Sequence, residues 1–185
     1  MLESLREYVR AIISEAIGVR KLRIFDFDDT LVVTRSLIHV TTAAGEHFDL
    51  TPGEYAVYNK RPGDVMDYSD FSKLIDPQEI VWTGRILRNL VNKGSEVVIL
   101  TARARPEPIQ QFLSDAGLPP LTVVALADSD PRKKAEYVVR RIETDNLDIV
   151  EFFDDSSKNV AAVAALQPLY PHTRILSRQV RSHIS

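Results

Sequence analysis

Between residues 96 and 176, short apolar runs alternate with segments of helical periodicity, and few folds accommodate that pattern. EVVILT (96–101), LTVVAL (121–126), DIVEFF (148–153) and TRIL (173–176) read as strands. PEPIQQFLSDAG (106–117), PRKKAEYVVRRIE (131–143) and SKNVAAVAAL (157–166) read as helices, the first closed by Gly117. An earlier run, LRIFDFDDTLV (22–32), is apolar at first and then ends abruptly in acids. Such a run is expected of a buried parallel strand with function at its carboxyl end. Strand–helix alternation implies an α/β fold, a doubly wound parallel sheet with helices on both faces in a three-layer α/β/α sandwich.

Two segments fall outside the alternation. Residues 1–20 form the first, in which Leu5, Val9, Ile12, Ile13, Ala16 and Ile17 share one face of an amphipathic helix stopped by Gly18. That helix either packs on its own domain, residues 21–185, or joins a partner, as in a homodimer. Residues 32–80 form the second, an insertion after the first strand. Within it, residues 36–50 read as two short strands about an Ala44-Gly45-Glu46 turn. Thr51-Pro52-Gly53-Glu54 has the capping-box pattern, with proline at the first helical position. Asp76-Pro77-Gln78-Glu79 reads as a second helix start of the same kind. Its helix carries Ile80, Ile86, Leu87, Leu90 and Val91 and ends at Gly94, with Trp82 expected in the core.

A chain of 185 residues suits one domain with a small insertion. A net charge of −3 argues against a protein that coats nucleic acid. The absence of cysteine excludes disulfides, a thiolate nucleophile and thiolate metal sites. No stretch approaches the roughly 18 apolar residues of a membrane span, and the opening lacks the apolar core of a signal peptide. A cytoplasmic protein without membrane attachment is the expectation.

The acids carry the chemistry. Asp26 and Asp28 stand two apart at the end of the first strand, so both address the same side. Thr101 ends the next strand, and Asp154-Asp155 follow a later one. In a doubly wound sheet the carboxyl ends of the strands form the ligand crevice, so these residues converge on one rim. Carboxylates crowded there repel by about 1 kcal/mol per close pair in water, and by about 4 kcal/mol at an effective dielectric of 20. A divalent cation relieves the conflict, and an all-oxygen set suits magnesium. Lys133 and Lys134 are adjacent, and both cannot point at the rim. Lys134 precedes Tyr137 and Val138 by three and four residues, which puts it on the inward face.

These motifs resemble those of the haloacid dehalogenase superfamily over residues 22–176. FDFDDTLV is similar to the first family motif, VVILTAR to the second, the lysine of KKAEYV to the third and FFDDSSKN to the fourth. The resemblance implies five parallel strands in the order 3-2-1-4-5 and a small cap after the first. It implies Asp26 as nucleophile and Asp28 as general acid/base. It assigns magnesium to Asp26, the backbone carbonyl of Asp28, and Asp154, with Asp155 helping directly or through water. Thr101, Ala102 and Lys134 would bind the phosphoryl group. Arg103 is either a further phosphate or substrate contact or a solvated loop residue.

The function expected is magnesium-dependent hydrolysis of a phosphate monoester through an aspartyl-phosphate. The substrate is a phosphorylated small molecule or a nucleic-acid end, since the spacing of LTAR, lysine and DD also looks like the phosphatase half of polynucleotide kinase-phosphatases. A phosphotransferase and an idle phosphate- or nucleic-acid-binding module are the rivals, and Asp28 has no use in the latter. Tyr55, Tyr58, Asn59, Lys60 and Arg61 read either as a nucleotide-binding lid or as a solvated face. His39, His47 and the tail arginines Arg174, Arg178 and Arg181 read as surface residues.

Overall fold

In the computed structural model, which describes residues 18–181, the apolar runs pair as one parallel sheet. Its first strand, β1, is Lys21–Phe25. The insertion follows, with β2 (Val32–Val33), β3 (Ile38–Thr41), β4 (His47–Leu50), α1 (Pro52–Val57), β5 (Val65–Asp67), a 3-10 turn at Ser69–Ser72, and β6 (Gln78–Glu79). Next come α2 (Val81–Asn92), β7 (Val97–Thr101), α3 (Glu107–Asp115), β8 (Thr122–Ala125) and α4 (Pro131–Asp145). The chain closes with β9 (Ile149–Asp154), α5 (Ser157–Ala164) and β10 (Arg174–Gln179). The order across the sheet is β10-β9-β1-β7-β8, every neighbouring pair parallel. The amphipathic segment before Gly18, and with it the dimer reading, lies outside the described residues.

Side chains alternate across the strands, and each face gathers its own core. On one face Leu22, Ile24, Val98, Leu100, Val150 and Phe152 pack against Tyr137, Val138 and Ile142 of α4 and Val163 of α5. On the other, Phe25, Phe27, Val97, Ile99 and Phe153 pack against Leu87 of α2 and Ile109 and Leu113 of α3. The Phe25 and Phe153 rings stack with centroids 4.5 Å apart, locking the two central strands just where their acids emerge.

The insertion folds as expected in its first half. β3 and β4 pair about the Ala44–Glu46 turn, with β5 on the other edge of β3. Thr51 caps α1 in a complete capping box with Glu54. The second half requires a correction, because the helix expected from Asp76 begins only at Val81. Gln78 and Glu79 instead pair antiparallel with Val33 and Val32. Asp76 adopts a left-handed φ of 46°, and its carboxylate pairs with the Arg35 guanidinium and accepts from the Gln78 amide rather than capping a helix. Strand pairing with a distant segment satisfies this backbone, and the local capping pattern loses to it. The delayed start also rotates the helix. Thr83, Gly84 and Leu87 face inward, so Trp82 is 42% exposed rather than core.

One contact ties the insertion's end to the site. The buried Thr83 hydroxyl donates to the carbonyl of Thr30 at 2.6 Å, anchoring α2 to the loop that follows the Asp26–Asp28 acids. Thr83→Val keeps the volume but leaves that carbonyl without its donor, at an expected cost of about 1–2 kcal/mol. Thr83→Ser keeps the bond and should cost less. Denaturant midpoints of the two variants check the difference.

Candidate active site

The acids sit where the sheet ends. Asp26 follows β1 directly, and its N–H donates to the carbonyl of Phe153, extending the ladder by one residue. Asp154 ends β9 in the neighbouring strand, fully buried. One oxygen from each of Asp26, Asp154 and Asp155 lies within 4.8 Å of the other two.

Lys134 enters this group from the first turn of α4. Its Nζ donates to Asp26 Oδ1 and to Asp154 Oδ2, both at 2.7 Å, with the side chain only 4% exposed. The helix rotation that buries Tyr137 and Val138 brings Lys134 inward with them. Lys133 turns out to solvent and pairs with Glu136. Burial works against the Lys134 ammonium, but Asp26 and Asp154 outweigh it and raise its pKa. Burial also pushes Asp26 well above the ordinary carboxylate range. Lys134 opposes that push, and Asp154 and Asp28 add to it.

Two further residues bond Asp154 from its own side of the crevice. Asn159 Nδ2 donates to both oxygens at 2.9 and 3.1 Å, and the Ser156 N–H donates to Oδ1 at 2.9 Å. Ser156 in turn caps α5 by accepting from the Asn159 N–H. Asp155 has a different setting: its N–H donates to the buried Thr30 hydroxyl at 2.9 Å. Burial, then Asp154 and Asp29, raise its carboxyl to about 6. Thr101 is fully buried, and its hydroxyl accepts from the Arg103 N–H at 3.1 Å, with Ala102 half-buried between them.

Arg103 is not the solvated loop residue of the second expectation: it is buried, and its guanidinium is turned to Asp28. Its Nε and Nη2 donate to the two oxygens of Asp28 at 2.8 and 2.7 Å, a bidentate pair. Sequence reasoning also assigned no role to Asn159, Thr30 or Asp29. Thr30 stands two residues after Asp28 and Asn159 five after Asp154, so proximity to the acids was the available signal. The tyrosines of the insertion hold one another and an acid: the Tyr55 and Tyr68 hydroxyls lie 2.6 Å apart, and Tyr58 donates to Asp64. Lys60 and Arg61 are exposed, as are Arg174, Arg178, Arg181 and His47. His39 is half-buried and bonds Asp49.

The donor set suits a hard divalent cation. It offers only oxygens, and the single ammonium of Lys134 does not offset the charge of three acids. No family model matches the chain, and no curated protein matches it. Among the described residues, no helix is long and apolar enough to cross a membrane.

The elevated acids make stability depend on pH with a definite sign. Asp155 has an ordinary value of 3.8 and a folded value of about 6, so the folded state binds its proton more tightly. The stability this proton confers is complete below 3.8 and is lost as the pH rises through about 6, at most about 3 kcal/mol in all. Asp26 and Asp29 are raised in the same sense. In chelator, the melting temperature should therefore fall between pH 4 and 6.5, and Asp155→Asn should flatten that slope.

Proposed function

We propose that this chain is a haloacid dehalogenase-type phosphohydrolase that cleaves phosphate monoesters through an aspartyl-phosphate on Asp26. The observation that carries this reading is the convergence of Asp26, Lys134, Asp154 and Asp155 at the carboxyl ends of two adjacent parallel strands. The sheet supports it as well. Numbered along the chain, its five strands run 3-2-1-4-5, with helix-packed cores on both faces, as a three-layer sandwich of this type requires. Residues 32–80 are then the cap, a small one built of two short sheets and a helix.

Asp26, Asp154 and Asp155, with the main-chain carbonyl of Asp28, would hold magnesium. Bound there, the ion supplies positive charge that lets a phosphoryl group approach the acids. Lys134 adds to that charge, and the Thr101 hydroxyl and the Ala102 main chain orient the phosphoryl oxygens. An oxygen of Asp26 attacks phosphorus as the ester P–O bond breaks, and Asp28 gives its proton to the leaving oxygen. The products of this step are an alcohol and an acyl phosphate. Water then attacks phosphorus, its proton passes to Asp28, and the bond to Asp26 breaks. Inorganic phosphate leaves and the carboxylate is restored. The substrate class is a phosphorylated small molecule or a nucleic-acid end, turned over in the cytoplasm.

A panel of phosphate esters, including oligonucleotides with 3′- and 5′-phosphates, tests the reading. At least one ester should be hydrolysed with magnesium and none after exhaustive chelation, with calcium a poor substitute. Full activity in chelator would remove the metal from the scheme. Lys134→Ala should lower turnover on the order of a hundredfold, as loss of a charge-stabilising donor does. Lys133→Ala should leave turnover within about twofold, since that ammonium faces solvent.

A further inference from the structure

Arg103 has more partners than a phosphate contact would need, and most of them belong to the insertion. Two of its nitrogens hold Asp28. Nη1 donates to the carbonyls of Phe71 and Lys73 at 3.1 and 2.8 Å. Nη2 also reaches the hydroxyls of Thr34 and Ser36 at 3.4 and 3.5 Å. The Phe71 ring lies against the guanidinium, 4.9 Å from Cζ to centroid. The side chain is 1% exposed, so all of these bonds form out of water, where a misplaced donor is costly.

The 69–73 turn that Arg103 grips is itself clipped to β3. Asp70 accepts from the Leu37 N–H at 3.0 Å, and its other oxygen faces His39 Nε2 at 3.5 Å. The Ser36 hydroxyl lies 3.5 Å from the Asp70 carbonyl. Asp28 lies beyond β1, and the guanidinium that donates to its carboxylate also donates to two main-chain carbonyls of the insertion.

We propose that Arg103 is a positioning residue through which the 69–73 turn of the insertion sets the orientation of Asp28, making the acid/base step depend on how the insertion is seated. The proposal rests on the reading of Asp28 as acid/base. A planar fork is needed for this: lysine would keep the charge but could not bridge both Asp28 oxygens and both carbonyls at once. Misaiming Asp28 should slow protonation of a poor leaving group and spare a good one, which departs without that proton.

The test measures the rate of Asp26 phosphorylation by rapid quench, with an aryl phosphate of good leaving group and with an alkyl phosphate. Arg103→Lys should phosphorylate within about threefold of the unsubstituted enzyme on the aryl ester and at least tenfold more slowly on the alkyl ester. Phe71→Leu removes the ring under the guanidinium without touching the acids. It should shift the same ratio in the same direction by about threefold, and it keeps the test open should Arg103→Lys not fold. Equal losses on both esters would overturn the proposal by showing a merely structural role. A raised KM with unchanged phosphorylation rates would overturn it by making Arg103 a substrate contact. Absence of phosphoenzyme in the unsubstituted protein would instead remove the reading of Asp28 on which the proposal stands.

Discussion

A buried ammonium between two buried carboxylates governs this end of the molecule. Lys134 bonds Asp26 and Asp154 at 2.7 Å each, and none of the three side chains is more than 9% exposed. Removing one member of such a group leaves uncompensated charge in a low dielectric, at a cost of about 3–5 kcal/mol. β1, β9 and α4 must therefore hold their relative positions closely. The stacked Phe25 and Phe153 rings and the inward Tyr137 and Val138 do so from the two sides of the sheet. The same arrangement leaves the carboxylates in excess. Asp155, raised to about 6 by burial first and then by Asp154 and Asp29, feels that excess, and a divalent cation would relieve it.

Around this centre the buried polar groups have partners. Asn159 and the Ser156 N–H satisfy Asp154, and Thr30 links Asp155 to the loop after β1. Among the described residues no buried side-chain nitrogen or oxygen lacks a partner. On the side of the insertion, Arg103 donates to main-chain carbonyls of a short turn while it holds Asp28.

Much of this was legible in the sequence because it rests on short-range periodicity. Asp26, Thr101 and Asp154 could be placed on one rim because each ends an apolar run. Lys134 could be told from Lys133 because the apolar residues three and four positions on mark the buried face. What could not be read depends on distant partners. Gln78 and Glu79 imitate a helix start, and only their pairing with Val32 and Val33, some 45 residues away, makes them a strand. Trp82 faces solvent as a consequence. Arg103 lies in a loop, where no period reveals direction, and its partners Asp28 and Phe71 come from elsewhere in the chain. Asn159 sits in a helical turn whose cap hides its second task at Asp154.

The most direct test of the central claim is to look for the phosphoryl group itself. The protein, mixed with an aryl phosphate and magnesium, is quenched in acid within milliseconds, digested, and its peptides weighed by mass spectrometry. Phosphate on Asp26, absent from Asp26→Asn and accumulating in Asp28→Asn because water is no longer activated, is the expected result. A phosphoryl group on another residue, or retained turnover in Asp26→Asn, would contradict it.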